Sequence, residues 1–456
     1  MKELKFISPE LDYTLRTLFR DILKIASPDV KLSEAGISLG YSENWFLHMP
    51  RFSFLEGRRP LAPNHMVMKK LDAQLKDLLG EETLPLLNGS CTASDGRLVS
   101  FNDDGNVASI NFDILGSTFY ILTRMEEIGS GTLDGHGRFP AYASHAYKNG
   151  YLHRPVVDEY AEIIWYCIKR LWPNLQREER NFEMKLTHDV DEPFEALFRP
   201  VWKMARSFAS DIIRRKDIKR AVHRAYLWTK VKRGDWHSDR VYTFDRLMDL
   251  GESVGCRDAF YFIPDCSGRM SGDYRIEHPA VRKLIRHINR RGHEIGYHGS
   301  YETYLDHSKV KKEVALLKKM AIEEGVEQDF WGGRQHYLRW SAPQTWRSYA
   351  EAGLDYDTTL SFADAAGFRC GTCHPYRVFD EERRQELPLT EFPLTVMECS
   401  VLGKSYMGYT YERAYEYMML LKNQCRKYGG TFVLLWHNSA FDDERDWDLY
   451  KSVIMG

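Results

Sequence analysis

The sequence predicts an α/β protein, with a parallel β/α barrel over residues 181–456 and a smaller mixed α+β domain over residues 1–180. Two observations carry this expectation. From about residue 243, strand-length apolar runs alternate with longer runs at helical spacing, as βαβ units do. In addition, three strand-like runs end in Asp189/Asp191, in His298 and in His437. Barrels of this kind carry their functional groups at the C-terminal ends of strands.

The elements follow in chain order. In the first segment, residues 114–128 and 156–172 place apolar residues at helical spacing, with a polar, aromatic connector between them. No catalytic constellation stands out there, and Asp103-Asp104-Gly105 reads as a turn. Residues 183–191 (EMKLTHDVD) form an alternating apolar strand that ends in acids. The basic stretch 199–233 follows, with Arg214, Arg215, Lys216, Lys230, Lys232 and Arg233, and it reads as an amphipathic helical insertion over about 197–235. It is either a solvated surface feature or a face for anionic glycan or lipid headgroups. Helices are expected at 243–255, 279–291, 308–325 and 343–353, and strands at 258–264, 294–298 and 431–437.

Composition narrows the function classes. The 456 residues carry a net charge of −2, with 43% hydrophobic and 28% charged residues, which is ordinary for a globular protein of more than one domain. Near-neutrality argues against a dedicated nucleic-acid binder. The 26 Tyr, 23 Phe and 11 Trp are core material first, and flat platforms for sugar rings second. No apolar run is long enough to span a bilayer. The opening residues lack an uncharged apolar stretch and a small-residue cleavage site, so cytoplasmic residence is expected, with peripheral contact at a membrane left open. Eight cysteines are too few for a disulfide scaffold. The pair Cys370 and Cys373 has no second CxxC to complete a zinc site and reads as two partly buried thiols in a Gly-rich turn.

Along a strand, residues i and i+2 face the same side, so Asp189 and Asp191 can address one site. Two carboxylates so close share a proton or hold a cation. If one binds a cation, the other is free to act as a base. His298 ends a strand, and should the chain turn helical there, Glu302 would lie on the same face. Imidazole with carboxylates is a usual zinc shell, and a position left open for water marks a catalytic site.

Four segments, taken in order, resemble the polysaccharide deacetylase (NodB homology) family, also called carbohydrate esterase family four. They are Thr187–Asp191 (THDVD), Gly292–His298 (GHEIGYH), Gly333-Arg334, and Leu434–His437 (LLWH). The resemblance spans about residues 183–456 and implies a distorted β/α barrel of the NodB type, preceded by an extra domain of unknown role. It implies a metal-dependent hydrolase that removes an N-acetyl group from a sugar of bacterial envelope or surface-glycan metabolism. A divalent ion, zinc first, would be the cofactor, and an N-acetylated sugar or glycan the partner. It further implies that Asp189 is the general base, that Asp191 and His298 bind metal, that Arg334 positions the base and that His437 is the general acid. The family has a second ligand His four residues after the first, where this chain has Glu302. Glu302 or His336 could complete the shell, and His188, beside the base, should face away by strand alternation. Either Glu391 or Glu398 could orient His437. The Pro-rich segment that usually follows the motif Arg is missing.

Two other readings stand beside this one. The departure at Glu302 is compatible with a metal-free, inactive barrel that binds glycan or a protein partner. The same mechanism could also act on a non-acetyl or non-sugar amide, which pocket shape would decide.

Overall fold

A computed structural model describes residues 7–34, 36–54, 66–89, 91–199, 201–268 and 270–456 of the chain. Residues 1–6, within the opening stretch read above as lacking a secretory signal, lie outside the described residues. None of the described helices is long and apolar enough to cross a membrane.

The first part of the chain is mixed. Strands β1 (Asp29–Ser33), β2 (Gly36–Ser42), β3 (Trp45–Met49), β6 (Val99–Phe101) and β7 (Val107–Ile110) form a five-stranded sheet in the order β1-β2-β3-β7-β6, and β4 (Met66–Lys70) pairs antiparallel with β5 (Thr83–Leu87). The longer helices here are α1 (Pro9–Arg16), α2 (Ala73–Leu79), α3 (Ile114–Leu122) and α4 (Val156–Leu171). Helix α3 is buried along its whole length and is capped by Asp113, whose Oδ1 accepts from Gly116 N at 2.7 Å. It stops at Leu122, short of the expected 128, and Arg124 lies in the left-handed region at φ 56°.

The second part is built on a nine-stranded sheet. Its strands are β8 (Glu183–Val190), β9 (Ala259–Phe262), β10 (Glu294–Gly299), β11 (Gly332–Gln335), β12 (Tyr356–Asp357), β13 (Tyr376–Asp380), β14 (Gln385–Glu391), β15 (Val396–Met397) and β16 (Thr431–Leu435). The order is β13-β14-β12-β11-β10-β9-β8-β16-β15, parallel throughout except for the β13–β14 hairpin. Strands β9, β11 and β16 are buried at every residue, as expected where helices cover a parallel sheet. The intervening helices are α5 (Val201–Ile213), α6 (Ile218–Lys232), α7 (Phe244–Ser253), α8 (Pro279–Arg290), α9 (His307–Glu323), α10 (Gln344–Glu351), α11 (Tyr411–Lys427) and α12 (Glu444–Met455).

The sheet is open: β13 and β15 are its edge strands, and no ladder joins them among the described residues. Strand β14 lies between β13 and β12 and has no free edge for β15, from which only residues 392–395 separate it. This short link runs from β12 to β16. Phe392 N donates to Asp357 O in β12, and Thr395 N donates to Val433 O in β16.

The two parts of the chain share buried contacts. Tyr13 donates to Arg377 O (2.8 Å), Tyr376 donates to Leu122 O (3.0 Å), and Arg369 pairs with Glu127. Cys370 and Cys373 are fully buried, deeper than expected, in a turn that Asp158 of α4 anchors. The Asp158 carboxylate accepts from Thr372 Oγ1 (2.6 Å) and from Cys373 N (2.9 Å).

Burial pushes the Asp158 carboxyl up to about 6, against the lowering effect of those donors. A raised folded value means that the neutral carboxyl stabilises the fold below the unfolded value of about 4, and that this contribution is lost as pH rises through about 6. Asp158→Asn keeps an acceptor for Cys373 N and no longer ionises. It is therefore expected to gain on the wild type by about 2–3 kcal/mol between pH 4 and 7 in urea unfolding. Parallel stability curves for the two proteins would contradict this.

Candidate active site

Five strand ends bring the site together. Asp189 lies in β8 and Asp191 just past its end, His298 is near the end of β10, and His336 follows β11. Glu398 follows β15, and His437 lies two residues beyond β16. The C-terminal edge of a parallel sheet is where such crevices form.

Strand alternation does the first sorting. Asp189 and Asp191 face the crevice, while His188, the residue before Asp189, points the other way. Its Nδ1 meets Trp436 O at 2.7 Å and its Nε2 meets Asp258 Oδ2 at 3.2 Å.

Asp191 Oδ1 lies 3.2 Å from His298 Nε2 and 3.3 Å from His336 Nε2. His298 Nδ1 is 2.9 Å from the Arg334 carbonyl, which can only accept, so Nδ1 carries a hydrogen and Nε2 is the ring atom turned toward Asp191. Asp191 Oδ1 and His298 Nε2 are buried and have no hydrogen-bond partner. One carboxylate and two imidazoles with orphaned, converging atoms suit a zinc-like divalent cation and leave positions free for water or substrate. Burial opposes ionisation of Asp191, but His336 and His298 outweigh it and hold the carboxyl well below the usual range.

Glu302 is not part of this cluster. The helical turn that would set Glu302 on one face with His298 does not form: β10 runs to Gly299, and Glu302 precedes a single 3-10 turn over Thr303–Leu305. Its side chain is 62% exposed and lies 3.8 Å from Lys309. His336 occupies the place considered for it. The residues after His336 are unusual, since Tyr337 (φ 60°) and Leu338 (φ 54°) are successive side chains in the left-handed region. Such positions cost about 1–3 kcal/mol each and gather where a side chain must be aimed.

Asp189 is held from the opposite side. Arg334, 0% exposed, donates from Nη1 to Asp189 Oδ1 (2.8 Å), from Nη2 to Thr187 Oγ1 (3.0 Å) and Thr358 Oγ1 (3.1 Å), and from Nε to Thr358 O (2.9 Å). Burial would raise the Asp189 carboxyl, but Arg334, His298 and His437 together lower it and keep it ionised. Its second oxygen is 3.6 Å from His298 Nε2.

His437 Nδ1 meets Glu398 Oε1 at 2.5 Å, and its Nε2 lies 3.8 Å from Asp191 Oδ2. The β15–β16 register, Met397 opposite Leu435, places Glu398 beside the residues that follow β16. Burial disfavours the imidazolium, yet Glu398, Asp191 and Asp189 raise His437 to about 10. Glu391, the other acid considered for this role, instead accepts from Trp346 Nε1 (3.1 Å) and Leu360 N (3.2 Å).

A cavity of about 190 Å³ opens on the cluster, and Arg138, Tyr337, Met397, Cys399 and Tyr406 add to its walls. Arg138 comes from the N-terminal part, where no site residue was expected. It pairs with Asp134 (2.7 Å) and donates to Tyr337 O (2.8 Å). No local pattern marks it as part of the site, because Tyr337, its contact on the cavity wall, lies 199 residues away. Burial, then the carboxylates of Glu398, Asp191 and Asp189, push the Cys399 thiol well above its ordinary value, so it is a neutral wall and not a thiolate nucleophile. A second convergence, Asp158, Cys373 and His374, differs in kind: its Asp oxygens already accept hydrogen bonds, and the Arg180 guanidinium lies against His374 Nδ1.

Comparison with known proteins adds little to this geometry. Residues 3–173 match a family described only as a family of unknown function (DUF7033), and the match ends before β8 begins. No curated protein matches the chain. Among solved structures, one from Mycobacterium smegmatis, provisionally described as a polysaccharide deacetylase, is similar with a TM-score of 0.39 and 20% identity. That similarity covers 61% of this chain and 85% of the other.

Proposed function

We propose that the chain is a metal-dependent hydrolase that removes an acetyl group from the amide nitrogen of a sugar, in bacterial envelope or surface-glycan metabolism. The observation that carries this reading is the arrangement around one cavity: the Asp191–His298–His336 cluster, with Asp189 clamped by Arg334 on one side and His437 held by Glu398 on the other. The family resemblance of the four motifs supplies the substrate class.

Asp191, His298 and His336 would hold a divalent ion, zinc first, which supplies Lewis acidity toward an amide carbonyl and toward water. Asp189, ionised and fixed by Arg334, takes a proton from water as general base. His437, kept protonated by Glu398, gives its Nε2 proton to the departing amine, without which an amide nitrogen is a poor leaving group. Residues 1–180 form a separate N-terminal unit in this reading, one that walls the cavity through Arg138. The metal-free binding reading rested on Glu302 as a failed ligand, and it loses that ground with His336 beside Asp191.

Elemental analysis of the purified protein and of His298→Ala tests the proposal. About one equivalent of zinc or a similar ion is expected in the first and a loss of it in the second. No metal in the native protein, even after zinc is added, would overturn the proposed chemistry.

A further inference from the structure

The basic insertion takes no part in the site described above. Helices α5 and α6 pack on each other as a hairpin that leaves the sheet directly after β8, the strand carrying Asp189. Several contacts hold its base. Lys203 pairs with Asp273 in the loop after β9 (2.9 Å), and Lys232 Nζ donates to Leu197 O (2.9 Å). Just past the hairpin, Arg240 pairs with Asp442 after β16 (2.9 Å). The hairpin thus rises from the edge of the sheet on which the cavity opens.

Its outer surface combines two features. Residues 201–233 hold 11 Lys and Arg against 2 Asp, in a chain whose net charge is −2. Asp211 is turned inward, to Arg215 (3.1 Å) and Arg224 (2.8 Å). Apolar side chains also stand outward at helical spacing. Ile218, Val222 and Tyr226 form an i, i+4, i+8 stripe on α6, and Trp202, Ile212 and Ile213 lie exposed on α5. At the tip, Ile213 is 73% and Ile218 66% exposed, on either side of Arg214, Arg215 and Lys216.

We propose that this hairpin docks the protein on an anionic lipid bilayer. The cations meet headgroup charge, and Ile212, Ile213 and Ile218 enter the boundary between headgroups and acyl chains. A nucleic acid or soluble polyanion would use the cations and leave the isoleucines in water. A second copy of the chain would set cation against cation. Docked in this way, the hairpin holds the cavity edge toward the membrane, where an amide on a lipid-borne molecule is within reach. The docking itself does not depend on the chemistry of the site.

Co-sedimentation of the full chain with phosphatidylcholine vesicles, with and without about 30% phosphatidylserine, tests the proposal. Binding is expected only with phosphatidylserine. Arg214→Ser/Arg215→Ser/Lys216→Ser should lower the partition coefficient about 100-fold, at about fivefold per cation. Ile213→Ser/Ile218→Ser should lower it about tenfold or more. All five side chains are exposed, and Asp211 keeps its pair with Arg224 when Arg215 is replaced, so the thermal unfolding midpoint should stay within a few degrees of the wild-type value in both variants. Absence of binding to the anionic vesicles, or wild-type binding by the triple variant, would overturn the proposal. An unchanged partition of the isoleucine variant, with full competition by heparin, would make the face a polyanion site instead.

Discussion

Asp189→Asn is expected to lower amide hydrolysis about 10²–10⁴-fold while the bound metal and the fold remain. The reason lies in the division of labour between the two acids. Asp191 contributes the oxygen on which His298 and His336 converge, whereas Asp189 gives one oxygen to Arg334 and turns the other toward the cavity. Asn has the same shape and still accepts from the guanidinium, but it cannot take up a proton at neutral pH. The loss should therefore fall on kcat and not on KM. Acetate release, measured on whichever N-acetylated sugar the wild type turns over fastest, checks this alongside metal content. An Asn variant that keeps more than about a tenth of the rate would remove Asp189 from the role of base. Asp191→Asn is the contrast, since it should lose the metal and the rate together.

The sequence carried much of this site, and the reasons are local. Side-chain alternation along an extended segment is geometric, so Asp189 and Asp191 could be assigned to one face and His188 to the other before any coordinates. Parallel strands bring their C-terminal ends to one edge, so the endings at Asp191, His298 and His437 already indicated one crevice. What could not be read depended on a turn or on distant chain. Whether the residues after His298 coil into a helix sets where Glu302 points, and the tight turn at Ser300–Leu305 leaves it exposed beside Lys309 while His336 lies beside Asp191. Glu398 reaches His437 only through the register of β15 on β16, across 39 residues. The open sheet was illegible for a similar reason, because no local run shows that β13 folds back on β14 as an edge hairpin and meets no partner in β15.

Arg334→Met is expected to destabilise the protein by about 3–5 kcal/mol, the largest stability effect among these substitutions. Arg334 is wholly buried, and its guanidinium serves the Asp189 carboxylate, the hydroxyls of Thr187 and Thr358 and the carbonyl of Thr358. Methionine fills the volume and offers none of these donors, so an ionised carboxylate would stay buried without its cation. Arg334→Lys should recover little, because one ammonium cannot reproduce a planar fork that reaches three residues. The double variant Arg334→Met/Asp189→Asn separates two sources of the loss. If most of it comes from the stranded charge, removing that charge restores part of the stability, and the double variant is more stable than Arg334→Met alone. If the lost hydrogen bonds to Thr187 and Thr358 dominate, the two losses add. Urea unfolding at pH 7 with unchanged m-values distinguishes these outcomes. Additive losses would make Arg334 a strut of the strand ends more than a partner for the base, and a coupling of about 1–3 kcal/mol would tie it to Asp189.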